Sequence, residues 1–180
     1  MTMEQKPIVG IPMGSETDLP VMKDAGVVLE ALGVSYEVQF VSAHRTADRM
    51  REYSKDAHRR GIKVVIAGAG GSAHLPGMIE AFADFPMPVI AVPIKTTALA
   101  GIDSLFSMVQ MPPGRPVAVV GINASKNAGL YAAHILAVSD EALATRIEAF
   151  KTKMADEVDA KNEKVKALGW KQYLEDQGLL

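Results

Sequence analysis

The sequence predicts an α/β fold of three layers, in which a parallel β-sheet is covered by helices on both faces. Five short apolar runs without strict alternation recur along the chain, as expected of strands that are buried on both sides. A segment with helical features follows each run, and such alternation of strands and helices is typical of parallel sheets. The pattern leaves the strand order open, and a flavodoxin-like open sheet is the natural expectation.

The first strand–helix unit begins with the run PIVGIPM, residues 7–13, which ends at the turn residue Gly14. The next segment has apolar residues at helical spacing. Asp18 can cap the start of this helix, Pro20 suits its first turn, and Gly33 ends it.

Four further units follow the same plan. Strands are predicted for the runs YEVQFV, KVVIAG, PVIAVP and PVAVVGI, at residues 36–41, 63–68, 88–93 and 116–122. Helices are predicted for residues 46–60, 73–82 and 124–138, and the fourth strand is followed by a segment around GIDSLFSMVQ, residues 101–110.

The chain changes character after Val138. Residues 1–138 are predicted to form the α/β domain, and residues 139–180 a helical extension that packs on its own or a neighbouring subunit. Over the extension, apolar residues keep a narrow helical spacing, at Leu143, Ile147, Phe150, Met154 and Val158. So narrow a stripe suits a helix packed on its own domain as well as one packed on a neighbouring subunit, and both alternatives stay open.

Composition and charge exclude several classes of protein. The formal net charge is −2 without a block of like charges, so nothing favours nucleic acid or a membrane surface as a partner. The sequence contains no cysteine, which excludes disulfides and cysteine-ligated zinc. Neither a secretory signal nor an apolar run of the roughly 20 residues that span a membrane is visible, so a cytoplasmic protein is expected.

Three predicted strands are followed by loops of unusual composition, at the sheet edge where ligands bind in such folds. The first loop, MGSETD, places Gly14, Ser15 and Thr17 before a helix N-terminus, which suits an anion. Asp18 suits hydrogen bonds from sugar hydroxyls. A plain helix cap accounts for the same residues, and this alternative stays open.

The second loop, SAHRT, spans residues 42–46 and carries two residues suited to chemistry. Arg45 suits a phosphate, which a guanidinium grips with two parallel hydrogen bonds. His44 suits proton transfer, because histidine ordinarily titrates near neutrality. The alternative is a capped helix start with Arg45 in solvent and His44 half-buried.

The third loop, AGAGGSAHLPGM, spans residues 67–78 and is rich in small residues, with His74 as its one large polar side chain. Small residues let the backbone approach a ligand closely and present bare amides. The loop does not match the dinucleotide fingerprint GxGxxG. Because glycines cost stability, a functional explanation is favoured. A further segment at the same edge, PIKTTALAG, residues 93–101, follows the fourth strand and has no assigned role.

A non-enzymatic binding domain is the alternative of a different kind. A receiver domain would need a phosphoacceptor aspartate at the end of the third strand, where this chain has glycines and an alanine, residues 68–71. A flavodoxin would stack aromatic side chains on its flavin, and the three loops carry none. Both observations favour an enzyme.

Taken together, MGSETD, SAHRT and AGAGGSAHLPGM, followed by DSLFSMVQMPPG, closely resemble the class I N5-carboxyaminoimidazole ribonucleotide mutases of purine biosynthesis. The similarity runs from about Ile8 to Leu136. It implies a three-layer α/β/α sandwich, a homo-octamer, and transfer of a carboxylate from the exocyclic nitrogen of a ribonucleotide to imidazole C4 without metal or organic cofactor. The class II relatives, which carboxylate aminoimidazole ribonucleotide directly, are the alternative. Arg45 and the AHLPGM element favour the mutase.

The resemblance also implies a role for each site residue. Ser15 and Arg45 bind the phosphate with Ser42 and Gly14 nearby, and Asp18 holds the ribose hydroxyls. His44 is the general acid and then the general base, since one imidazole can protonate the nitrogen and later deprotonate the carbon. The pocket for the base and the carboxylate is lined by Gly70, Gly71, Ser72, His74 and Leu75. The tail beyond about Ala149 is longer than the resemblance implies.

Overall fold

Residues 6–180, which the computed structural model describes, form a sheet of five parallel strands. The strands are β1 (Val9–Met13), β2 (Tyr36–Phe40), β3 (Val64–Gly70), β4 (Val89–Ile94) and β5 (Ala118–Val119). Their order is β2-β1-β3-β4-β5, and every neighbouring pair is parallel. This is the flavodoxin-like order, so the predicted sheet is confirmed.

Helices cover both faces of the sheet. They are α1 (Leu19–Ala31), α2 (Ala47–Arg60), α3 (Leu75–Phe82), α4 (Ile102–Val109), α5 (Ser125–Ala137), α6 (Glu141–Leu168) and α7 (Trp170–Asp176). One buried cluster joins the sheet to α1, α5 and the start of α6, and a second joins it to α2, α3 and α4. The predicted three layers are thereby confirmed. Over residues 6–180, no helix has both the length and the apolar character that crossing a membrane requires.

The central strand β3 shows why the predicted strands lack alternation. Val64 and Ile66 are buried in the cluster beneath α1 and α5, whereas Val65 and Ala67 are buried in the cluster beneath α2 and α3. Successive side chains of a strand point to opposite faces, and here both faces are covered by helices. A continuous apolar run is therefore what this position in the sheet requires.

Several predicted boundaries differ from those observed by a few residues. The edge strand β5 pairs with β4 only at Ala118 and Val119, so it is shorter than the predicted run of residues 116–122. α3 begins at Leu75 rather than at residue 73, with Pro76 in its first turn, where a missing N–H costs nothing. α1 begins at Leu19, directly after Asp18 as predicted, but the Asp18 side chain does not cap it and instead closes the 3-10 turn over Glu16–Asp18 that precedes it.

The helical extension packs on its own domain only at its start. Leu143 and Ile147 are 1% and 5% exposed and belong to the core cluster beneath α1 and α5. Asp140 caps α6 by accepting a hydrogen bond from the Leu143 N–H at 2.9 Å, and Arg146 Nε donates to the Leu32 carbonyl at 2.7 Å. Residues 151–164 are exposed in the single chain. The first turns of α6 therefore belong to the α/β domain, and the rest projects from it.

Candidate active site

A cavity of about 500 Å³ opens at the carboxyl edge of the sheet. Because β1 lies between β2 and β3, the loops that follow these three strands are neighbours in space. Ten of the eleven predicted site residues line the cavity: Gly14, Ser15, Asp18, Ser42, His44, Arg45, Gly70, Ser72, His74 and Leu75. Loops far apart in sequence thus share one space that is large enough for a small-molecule ligand.

The first loop is held in shape by a reciprocal cap. Ser15 Oγ accepts a hydrogen bond from the Thr17 N–H at 3.3 Å, while Asp18 Oδ2 accepts one from the Ser15 N–H at 3.1 Å. The Ser15 hydroxyl acts here as an acceptor, so its proton is available to an anion in the cavity. The two alternatives left open by the sequence, a cap and an anion site, are therefore compatible in the same residue.

Asp18 is a buried carboxyl group, only 7% exposed, on the cavity wall. Burial raises its pKa above the ordinary value. Hydrogen bonds from the backbone of Ser15 and Gly14 and the charge of Arg45 act in the opposite direction and are smaller effects. Ionisation of Asp18 therefore costs the folded protein free energy. Such a cost is common at sites where a carboxylate serves to bind a ligand.

Asp18→Asn is expected to raise the Tm at pH 7, because it removes a charge that burial disfavours, while it weakens nucleotide binding. A carboxyl group whose pKa is raised on folding stabilises the fold most below its unfolded-state pKa, and this contribution is lost as pH rises through its folded-state pKa. The gain in Tm should therefore shrink as pH falls. Thermal melts between pH 4 and 8 measure it.

The exposed residue Asp24 on α1 provides the matched control for this prediction, because Asp24→Asn removes one carboxylate from the surface without touching the cavity. Its Tm should follow that of the parent protein across the pH range. A lower Tm of Asp18→Asn at pH 7 would contradict the prediction and would make the ionised carboxylate a stabilising group.

The second loop is a tight turn that presents Arg45 to the first loop. Ser42 Oγ accepts a hydrogen bond from the Arg45 N–H at 3.1 Å, and Thr46 Oγ1 accepts one from the Ser42 N–H at 2.9 Å. Arg45 Nη2 donates to the Gly14 carbonyl at 2.9 Å. One edge of the guanidinium is thus fixed beside the Ser15 cap, which leaves its other N–H groups for an anion.

The second and third loops meet at two histidines. His44 Nε2 lies 2.9 Å from His74 Nδ1, and the two rings are nearly perpendicular, at 84° with centroids 5.1 Å apart. One proton lies between these nitrogens, and the tautomers of the pair decide which ring donates it. The resemblance implies that His74 lies on the pocket wall, but no sequence pattern indicates this contact.

Gly71 is the predicted site residue that the structure places off the cavity wall. Its N–H donates to Ser104 Oγ at 2.9 Å, and its carbonyl lies 3.2 Å from Ser107 Oγ. Both backbone groups therefore bond to α4 and are not free for a substrate. The φ of +70° at this position explains the glycine, since other residues rarely adopt it.

The loop after β4 supplies two wall residues that have no role in the sequence-based prediction, Lys95 and Thr96. Thr96 Oγ1 donates to the carboxylate of Asp103, at 2.9 and 3.0 Å from its two oxygens. The available signal was a polar KTT directly after a buried strand, at the edge where the other loops lie.

Comparison with known proteins gives one consistent family. The model of the family described as AIR carboxylase matches residues 8–157. A Thermotoga maritima protein named N5-carboxyaminoimidazole ribonucleotide mutase is 54% identical over 168 residues, 93% of this chain and 97% of that protein. The Schizosaccharomyces pombe protein named phosphoribosylaminoimidazole carboxylase is 52% identical over 169 residues, which are 94% of this chain but 30% of that protein.

A crystal structure of Treponema denticola PurE superposes with a TM-score of 0.77 at 28% identity, over 89% of this chain and 99% of that one. The Thermotoga alignment also corrects one expectation about the helical extension. An alignment of 168 residues in a chain of 180 must run well beyond Ala149. The expectation that this tail is longer than usual is therefore wrong, because that relative has a tail of similar length.

Proposed function

The chain belongs to the AIR carboxylase family, and from this premise we propose that it is an N5-carboxyaminoimidazole ribonucleotide mutase of purine biosynthesis. It moves a carboxylate from the exocyclic nitrogen of the substrate to C4 of the imidazole ring. The observation that carries the proposal is that Ser15, Arg45 and His44, from two separate loops, line one cavity of about 500 Å³.

The phosphate binds at the end of the cavity formed by the first two loops. Arg45 is held there by the Gly14 carbonyl, so its remaining N–H groups and the Ser15 hydroxyl converge on one anion. Asp18, on the same loop, accepts hydrogen bonds from the ribose hydroxyls. This arrangement holds the nucleotide by its phosphate and ribose, which the reaction does not change, and leaves the base near the two histidines.

His44 carries the proton in both halves of the reaction. It first protonates the exocyclic nitrogen while the bond from nitrogen to the carboxylate breaks, which releases carbon dioxide and aminoimidazole ribonucleotide. C4 of the ring then attacks the carbon dioxide, and the proton that C4 carries returns to the now neutral imidazole. The protein ends in its starting state, and the substrate has been isomerised without a net gain or loss of atoms.

The third loop supports the step between these halves. Gly70, Ser72 and Leu75 present small or apolar groups to the cavity, next to the pair of histidines. A wall of this kind lets the backbone approach the base closely, so that carbon dioxide is released beside the ring and C4 captures it there.

Separate assays of the two candidate substrates test the proposed function. The purified protein is expected to convert N5-carboxyaminoimidazole ribonucleotide to the C4-carboxylated product without added bicarbonate. The name of the fungal relative makes direct carboxylation the alternative. Turnover of aminoimidazole ribonucleotide with bicarbonate, and none of the carboxylated substrate, would overturn the mutase assignment.

We also propose that the enzyme works in the cytoplasm as a homo-octamer in which the projecting part of α6 packs on a neighbouring subunit. This part carries exposed apolar side chains, including Val158 at 64% exposure, and Trp170 follows in α7 at 59%. A helix gains most of its stability from packing of its apolar stripe. Such a stripe in water therefore supports burial against another copy.

Val158→Glu is expected to reduce the size of the assembly in sedimentation velocity, because it places a charge on the apolar stripe of α6. Ala160→Glu is the matched control, since it adds the same group two residues further on, toward the other side of the helix. The control should sediment like the parent protein. Equal assembly of both variants would remove α6 from the proposed interface.

A further inference from the structure

The helix α4 holds the loop that contains Gly71 through two serines. Ser104 is fully buried, its Oγ accepts from the Gly71 N–H at 2.9 Å, and it donates to the Ile94 carbonyl at 2.7 Å. Ser107 Oγ lies 3.2 Å from the Gly71 carbonyl and 2.8 Å from that of Asp103. The buried hydroxyl of Ser104 therefore ties the loop after β3 to the end of β4.

Side-chain packing does not hold Gly71 where it lies. A Cβ built on this residue would meet no heavy atom within 4 Å among residues 6–180. Its left-handed conformation, with φ at +70°, is instead held by two hydrogen bonds, one from its N–H group and one to its carbonyl. The hydroxyl groups of α4 thus determine the path of the loop, and Ser104 contributes the shorter bond to Gly71.

The loop path matters because the residues on either side of Gly71 form the cavity wall. Gly70 and Ser72 line the cavity, and His74, two residues further on, contacts His44. The first turn of α4 also holds Thr96, another wall residue, through Asp103. One short helix therefore fixes two of the walls from behind without lining the cavity itself.

We propose that Ser104 is a positioning residue that holds the loop after β3 in its place on the cavity wall, so that carbon dioxide is retained between its release from nitrogen and its capture at C4. This inference rests on the proposed mutase function. Loss of the hydroxyl leaves the Gly71 N–H without its protein acceptor, and water then competes for it. The phosphate site on the opposite loops keeps all its contacts.

Retention of the carboxylate carbon tests this role. With substrate labelled by ¹⁴C in the carboxylate, the fraction of label lost to solvent per turnover is measured after subtraction of the loss in enzyme-free buffer. Ser104→Ala is expected to raise this fraction at least about threefold and to lower kcat, with KM changed less than about twofold. Ser107→Ala should act in the same direction with a smaller effect, and it keeps the test available if Ser104→Ala folds poorly.

Ser54→Ala is the matched control, because Ser54 is also buried and its Oγ donates to a backbone carbonyl, that of Met50 at 2.8 Å in α2. This variant should retain label like the parent protein. Unchanged retention in both α4 variants, or equal loss in Ser54→Ala, would overturn the positioning role. If the parent protein does not convert the carboxylated substrate at all, the proposed function itself fails, and the inference falls with it.

Discussion

Replacement of His44 by asparagine is expected to lower kcat by roughly 10³-fold or more while the product nucleotide binds with nearly unchanged affinity. Asparagine is polar and smaller than histidine, so it fits the same space, although its amide does not reach the position of His44 Nε2, which lies 2.9 Å from His74 Nδ1 in the parent protein. An amide does not take up and return a proton near neutrality. Both halves of the proposed reaction therefore lose their proton carrier.

Two measurements separate chemistry from binding in this variant. Product formation under saturating substrate gives kcat, and calorimetric titration with the C4-carboxylated nucleotide gives Kd. His58→Asn is the matched control, since His58 is exposed on α2, stacks on Phe85 and does not line the cavity. A His44→Asn variant that is nearly as fast as the parent protein would refute the proton-carrier role and direct attention to His74.

The layered fold was predictable from the sequence because each local pattern agreed with the global arrangement. β3 shows this agreement most clearly, since a run that is apolar at every position can be buried only where helices cover both faces. The convergence of the three loops followed from the same prediction, because the carboxyl ends of parallel strands share one edge. Nearly all of the residues that line the candidate site could therefore be named from the sequence and its resemblance alone.

The features that could not be predicted depend on contacts between residues that are distant in sequence. His44 and His74 are 30 residues apart, and Gly71 is 33 residues from Ser104. Neither pair has a local signature, so no sequence pattern indicates that the backbone of Gly71 bonds to α4. The apolar periodicity of α6 also does not indicate which part of the helix is buried in its own domain. Ile147, which is buried, and Val158, which is exposed, belong to the same stripe.

Replacement of Arg45 by alanine is expected to raise KM by about 10–100-fold with little change in kcat. A hydrogen bond to a charged group contributes about 1.5–3 kcal/mol, which corresponds to this range. The phosphate stays unchanged while the carboxylate moves, so its contacts are equal in the ground state and the transition state. Their loss therefore weakens binding rather than chemistry. Initial rates over a range of substrate concentrations give both constants.

Two further variants make the Arg45 result specific. Arg45→Lys retains the charge but loses the planar fork that also bonds the Gly14 carbonyl, so it should recover only part of the affinity. Arg51→Ala removes an exposed arginine of α2 that does not line the cavity, and its KM should equal that of the parent protein. A fall in kcat at constant KM in Arg45→Ala would place the guanidinium at the reacting carboxylate instead of the phosphate, because only a contact made in the transition state alone changes kcat in this way.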